Sequence, residues 1–153
     1  MKEIVAGVDI GGTNTVIGFV DAEGVIHAGG NLSTPDYALA DDFVIALDAK
    51  LKEMMAENSG LKLIGIGIGA PNANFNKGTI ELAPNLRWKG IIPLVRMTEE
   101  ATGLRTRITN DANAAALGEM IFGAAKGVKD FIILTLGTGL GSGFVVDGEV
   151  VYG

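Results

Sequence analysis

Cysteine is absent from the 153-residue sequence, and proline is scarce, with only four residues. A chain without cysteine forms no disulfide framework of its own and offers no thiolate to a metal ion. We therefore expect no zinc site in this chain. The length suits one ordinary domain of roughly 100 to 200 residues and is sufficient to bury a hydrophobic core.

Basic residues are fewer than acidic ones. The sequence has 12 Lys and Arg residues against 18 Asp and Glu residues, which gives a formal net charge of -6. Nucleic acids and anionic membranes attract proteins through clustered basic residues. The acidic balance therefore argues against nucleic acid or a membrane surface as a partner.

Long apolar runs are also absent, although the mean hydropathy of +0.36 is high. A membrane-spanning helix needs about 18 or more consecutive apolar residues. The longest uncharged run, Phe131 to Val146, is interrupted by threonines, a serine and glycines. The segment before Asp9 is too short for a secretory signal. The sequence therefore predicts a cytoplasmic protein.

Alternating β-branched runs predict strands, and apolar residues at helical spacing predict helices. The predicted strands are Ile4 to Asp9, Thr15 to Val20, Val25 to Asn31, Leu63 to Gly69, Thr79 to Leu82, Arg105 to Thr109, Phe131 to Leu136, Gly141 to Val146 and Glu149 to Tyr152. The predicted helices run from Asp41-Asp42 to Asn58, from Ile91 to Thr102 and from Ala112 to Phe122. A meander followed by alternating helices and strands predicts an α/β fold with a mixed sheet.

A second meander begins at Phe131, and the sequence stops at Gly153 before a helix can cover it. Native domains avoid an open apolar face and an unpaired strand edge. We therefore expect a fragment, with one domain over residues 1-128 and the truncated start of a second over 129-153. The strands from Phe131 onward should be poorly ordered or should pair with another copy of the chain.

The segment Asp9-Ile10-Gly11-Gly12-Thr13 is the first candidate site. Glycines let backbone N–H groups approach an anion, and the Thr13 hydroxyl can donate one more hydrogen bond. Asp9, at the end of a predicted strand, could hold a hydrated Mg²⁺. A plain glycine-rich hairpin turn explains the same residues.

The segment Gly137-Thr138-Gly139-Leu140-Gly141-Ser142-Gly143 repeats this arrangement in the second meander. Two matching turns suggest two phosphate-binding half-sites that face each other across a cleft. The glycines from Gly65 to Gly69 have the spacing of a dinucleotide-binding fingerprint, but they lie within a predicted strand that no helix follows. We therefore reject a dinucleotide site there.

Asn110 and Asp111 lie between a predicted strand and an alanine-rich helix. Either residue could serve merely as the helix cap. Asp111 could instead orient a substrate hydroxyl and accept its proton during phosphoryl transfer. In the loop from Pro84 to Gly90, Asn85 offers both a donor and an acceptor to a polyol.

Four segments together resemble the ROK family of bacterial sugar kinases, which includes glucokinase-like enzymes. They are Asp9-x-Gly11-Gly12-Thr13, Pro84-Asn85-Leu86-x-Trp88-x-Gly90, Asn110 to Glu119 and Leu136 to Gly143. The resemblance runs along the whole chain in the family's order. It implies an actin-like, ribonuclease H-like ATPase fold with two domains around a cleft. It also implies phosphorylation of a hexose or N-acetylhexosamine hydroxyl with Mg-ATP.

The resemblance further implies roles for individual residues. The ATP phosphate motifs match Asp9, Gly11, Gly12 and Thr13 in the first domain and Gly137, Thr138 and Gly139 in the second, nucleotide-binding domain. The sugar-binding positions match Ala70, Pro71, Asn72, Asn85, Asn110 and Asp111, and Asp111 is also the general base.

The chain departs from the family's pattern at Asn14, where many members carry lysine, and the family is usually about twice as long. The family's zinc loop and adenosine pocket lie in the part that this chain lacks. We therefore expect the amino-terminal part of an ATP- and Mg²⁺-dependent sugar kinase, inactive alone and dimeric when intact. The alternatives are a sugar-sensing ROK-type transcriptional regulator and a non-catalytic sugar-binding module.

Overall fold

The chain forms two main β-sheets joined by a helix, together with a small third sheet. The computed structural model describes residues 1–136 and 139–152. In chain order the elements are β1 (Lys2–Ile10), β2 (Asn14–Val20), β3 (Ile26–Ser33), α1 (Ala40–Glu57), β4 (Leu61–Gly69), β5 (Ala73–Asn74), β6 (Thr79–Glu81), β7 (Ile91–Ile92), α2 (Leu94–Thr102), β8 (Thr106–Thr109), α3 (Asp111–Ile121), β9 (Phe131–Leu136), β10 (Leu140–Val146) and β11 (Glu149–Val150). A short 3-10 helix, Thr34–Asp36, lies between β3 and α1.

The first sheet has five strands in the order β3-β2-β1-β4-β8. Its first three strands form the predicted antiparallel meander, while β4 runs parallel to β1 and β8 runs parallel to β4. The carboxyl ends of β1, β4 and β8 therefore lie side by side, with Asp9, Gly69 and Thr109 in register. The predicted α/β class and mixed sheet are confirmed.

One face of the first sheet is buried under α1 and α2. Alternate residues of β1 point into this core, as the two-residue period of a strand requires: Ile4, Ala6, Val8 and Ile10. Phe43 of α1 is fully buried there, and its ring centroid lies 4.8 Å from that of Trp88. A buried side chain of this size stabilises the fold by roughly 1.5 to 3 kcal/mol.

The longest helix is α1, with 18 residues and two acidic side chains, Asp41 and Asp42, in its first turn. Acidic residues at this end interact favourably with the helix dipole. Through residues 1–136 and 139–152, no helix combines the length and the apolar character that crossing a membrane requires.

The second sheet has three antiparallel strands in the order β11-β10-β9. Its inner face packs against α3, where Ala116, Val145 and Val150 form a small core. Its outer face carries apolar side chains that are 46% to 83% exposed, namely Ile132, Leu134, Leu136, Leu140, Phe144 and Val146. The expected open face is present, while the domain boundary after residue 128 remains a prediction.

The second predicted helix is wrong at its start. Ile91 and Ile92 form strand β7, which pairs with β6, and α2 begins only at Leu94. The residue before a proline disfavours helical dihedral angles, and Pro93 follows Ile92. The last strand also differs from the prediction, because it ends at Val150 rather than at Tyr152.

Candidate active site

A polar cleft of about 550 Å³ opens where the carboxyl end of β1 meets the start of α3 and the hairpin between β9 and β10. Binding sites of α/β sheets commonly lie at this edge of the strands. Eight of the predicted site residues line the cleft: Gly11, Gly12, Pro71, Asn72, Asn85, Asn110, Asp111 and Gly139. The fold thus brings together segments that are distant in sequence.

The first glycine turn is closed by its own backbone and by a neighbouring loop. The N–H of Gly11 donates to the carbonyl oxygen of Asn14 at 2.9 Å. A Cβ atom on Gly12 would lie only 2.7 Å from the carbonyl oxygen of Asn85. Because Gly12 has no side chain, the loop carrying Asn85 can approach the turn. Thr13 is exposed beside the turn and does not line the cleft.

Two acidic residues, Asp9 and Asp111, lie near each other at the end of the first sheet. A Cβ atom built on Gly69 would lie 3.8 Å from both Asp9 Oδ1 and the Asp111 Cα. Partial burial, followed by the negative charge of Asp111, raises the pKa of Asp9. Both residues also line a second cleft of about 800 Å³, which follows the open face of the first sheet.

This pair of carboxylates fits a hydrated Mg²⁺ by its donor chemistry. Mg²⁺ is usually held through one or two carboxylates together with waters and substrate phosphates. Within the described residues, no group of three His, Cys, Asp or Glu side chains is assembled around an ion. The two carboxylates would therefore leave most of the coordination positions to water and phosphate.

The start of α3 shows which of the two residues, Asn110 or Asp111, caps the helix. Asn110 is the helix cap, because its Oδ1 accepts a hydrogen bond from the N–H of Asn113 at 2.7 Å. Asp111 is exposed in the cleft, where its Oδ1 accepts a hydrogen bond from the N–H of Ala112 at 2.9 Å. The adjacent asparagine therefore caps the helix, and the carboxylate of Asp111 remains available to a ligand.

The turn after β4 contributes less to the cleft than the sequence suggests. Ala70 is fully buried and donates its N–H to the carbonyl oxygen of Thr109, so it does not reach the cleft. Asn72 lines the cleft with a left-handed φ of 52°, and its side-chain amide donates to the carbonyl oxygens of Glu81 and Leu82. This amide therefore holds the turn together.

The end of β9 and the start of β10 form the opposite wall. Gly139 lines the cleft, whereas Gly137 and Thr138 lie outside the described residues. Thr135 and Ser142 also line the cleft but were not predicted as site residues. Both are hydroxyl residues that flank the glycine turn within otherwise apolar strands, and this pattern is the signal that identifies them.

Comparison with known proteins gives one family. The sequence model of the ROK family matches residues 5–153. A glucokinase from Streptomyces coelicolor is 39% identical over 145 residues, which are 94% of this chain and 44% of that protein. A xylose repressor from Caldicellulosiruptor bescii is 42% identical over 92 residues, 60% of this chain.

Among solved structures, members of the same family are similar to this chain. The crystal structure of a ROK family glucokinase from Streptomyces griseus, in complex with glucose and AMPPNP, superposes with a TM-score of 0.85 and 38% sequence identity. The match covers 98% of this chain and 46% of that protein. This chain therefore spans about half the length of the relatives that it matches.

Proposed function

The chain belongs to the ROK family, and we propose that it forms the sugar-binding half of an ATP-dependent sugar kinase together with part of the ATP site. One observation carries the proposal: Asp111, Asn85 and the Gly11-Gly12 turn line a single cleft. Glucokinases among the relatives support phosphorylation of a sugar at the level of the family.

In the proposed reaction, the cleft aligns a sugar hydroxyl with the γ-phosphoryl group of ATP. Asn85 and Asn110 bind sugar hydroxyls, and Asp111 orients the reacting hydroxyl and accepts its proton. The backbone N–H of Gly12 faces the phosphates, while that of Gly11 closes the turn by donating to the carbonyl oxygen of Asn14. A hydrated Mg²⁺ near Asp9 would neutralise phosphate charge when it is bound. Catalysis then consists mainly of positioning and electrostatic stabilisation.

A second candidate function is that of a sugar-sensing regulator, which the similarity to a xylose repressor supports. The two candidates differ in their need for a nucleotide. A kinase binds sugar and ATP in one cleft, whereas a sensor needs only the sugar. The net charge of -6 disfavours DNA binding by this chain.

Titration of the ¹⁵N-labelled chain with glucose and AMPPNP, followed by NMR, tests the proposal. We expect glucose to shift the amide signals of Asn85, Asn110 and Asp111 at millimolar concentrations. In a protein that also carries the second half of the cleft, AMPPNP should shift those of Gly11 and Gly12. Shifts with glucose alone in that protein would favour the sensor, and no shift with either ligand would contradict both candidates.

Replacement of the proposed base, Asp111→Asn, tests the chemistry. The assay needs a protein that carries this chain together with a second half like that of its relatives, because half a cleft cannot hold both substrates. We expect glucose binding to persist and kcat to fall by about 10² to 10⁴-fold, the usual contribution of a general base. Asp42→Asn, in the first turn of α1, is the matched control. A kcat close to normal in Asp111→Asn would refute the assignment.

A further inference from the structure

The first two turns of α3 lie between the two main sheets, and glycines make both contacts possible. On one side, a Cβ atom on Gly69 of β4 would lie 3.3 Å from the Cβ of Ala114. On the other side, a Cβ atom on Gly143 of β10 would lie 2.6 Å from the carbonyl oxygen of Ala112. The helix that begins with Asp111 is thus held from two directions.

The distance at Gly143 leaves no room for a Cβ atom, whereas a Cβ atom on Gly69 would fit only if the methyl group of Ala114 moved by a few tenths of an ångström. Carbon atoms in favourable contact are about 3.5 to 4.0 Å apart. The atom that opposes Gly143 belongs to the backbone of α3, so a rotamer change cannot move it away. Any residue other than glycine at position 143 would displace the helix or the strand.

A second glycine of β4, Gly67, shows that the need for glycine in this strand is confined to the position that contacts α3. Gly67 lies two residues before Gly69 on the same strand, and a Cβ atom on Gly67 would meet nothing within 4 Å in the described part of the chain. Close packing on α3 therefore distinguishes Gly69 from Gly67. Gly143 belongs to the glycine-rich segment that resembles a phosphate turn, but it lies inside strand β10 and packs on the helix.

We propose that Gly69 and Gly143 are positioning residues, which fix where Asp111 stands between Asp9 and the β9–β10 hairpin. The role in catalysis rests on the proposed function, whereas the seating of the helix does not. Proton transfer to a carboxylate requires contact at hydrogen-bond distance. A misplacement of about 1 Å can reduce an enzymatic rate by on the order of 10²-fold.

The test compares Gly69→Ala with Gly67→Ala in the 153-residue chain. We expect Gly69→Ala to shift the amide signals of Asp111 and Ala112 and to weaken glucose binding several-fold. Gly67→Ala should leave both unchanged. The double variant Gly69→Ala with Ala114→Gly removes the opposing methyl group, so it should restore both readouts. A general loss of stability would not be reversed by deleting one methyl group from a helix.

The variant Gly143→Ala tests the second contact, between β10 and α3. We expect a lower Tm, by roughly 5 °C, together with displaced Asp111 and Ala112 signals. Ala116→Gly should not restore them, because the clash with the carbonyl oxygen of Ala112 remains.

Equal spectra for Gly69→Ala and Gly67→Ala, or no recovery in the double variant, would overturn the proposal. If the wild-type chain binds no glucose, the proposed function fails. The amide signals of Asp111 and Ala112 then still show whether Gly69 determines the position of α3.

Discussion

At the scale of single residues, Asp21 in the turn after β2 has the densest set of polar partners outside the cleft. Its carboxylate accepts hydrogen bonds from the N–H groups of Glu23 and Val25 and from Nε2 of His27, and it pairs with Lys2 at 2.5 Å. The bond from Lys2, followed by that from His27, lowers the pKa of Asp21 far below its usual range.

Because the pKa of Asp21 is lowered in the folded state, we expect its carboxylate to contribute stability that is lost in acid. A carboxylate with a lowered folded-state pKa stabilises the fold above its unfolded pKa of about 3.9, and the contribution disappears as the pH falls below that value. We expect Asp21→Asn to lower the Tm at neutral pH and to flatten the fall in Tm below about pH 4. Thermal unfolding across this range measures the effect. Glu57→Gln, at an exposed position, is the control, and parallel pH profiles for wild type and Asp21→Asn would contradict the prediction.

At the scale of elements, α3 depends on its cap. Replacing Asn110 by Ala removes the acceptor for the Asn113 N–H and should lower the free energy of unfolding by about 1 kcal/mol. Asn110→Ser keeps a capping oxygen but lacks the side-chain amide, so we expect it to retain most of the stability and to bind glucose more weakly. Urea unfolding and glucose titration of both variants separate the capping role of Asn110 from its proposed role in sugar binding. Equal glucose affinity in wild type and Asn110→Ser would limit Asn110 to capping.

The elements with strong local patterns could be predicted from the sequence. The apolar alternation of β1 and the helical spacing of Phe43, Leu47 and Leu51 depend on neighbouring residues alone. By contrast, β5 and β7 have two residues each and exist only because both pair with β6. Pro93 disfavours a helical conformation at Ile92. The prediction nevertheless began the helix at Ile91, because Ile91 and Ile92 are apolar and continue the helical spacing.

At the scale of the whole molecule, the sequence predicts several residues that line the cleft but not how these residues pack against one another. Motif spacing identified Gly12, Asn85 and Asp111. It could not reveal that the backbone of Asn85 rests on Gly12, or that Ala70 is buried, because both facts depend on how distant segments pack. The part of the site at Gly137 and Thr138 remains a prediction.

The exposed apolar side chains on the outer face of the second sheet should bind a hydrophobic dye. Four of its six exposed apolar side chains form cross-strand pairs, Ile132 with Phe144 and Leu136 with Leu140. Contiguous apolar patches of this kind bind hydrophobic ligands and partners. We expect a hydrophobic fluorescent dye to bind the chain and Leu134→Ser to reduce its fluorescence. Ile45→Ser, at an isolated exposed position on α1, is the control, and equal fluorescence in the two variants would contradict the prediction.

The position of α3 between two sheets has a mechanical consequence. Because α3 contacts both sheets, a rotation of one sheet against the other that preserved these contacts would carry Asp111 with it. In the proposed kinase, a displacement of β9 and β10 would then reach the proposed sugar-binding residues through α3. Occupancy of one half of the cleft would then alter the affinity of the other half, and by linkage the effect would be reciprocal.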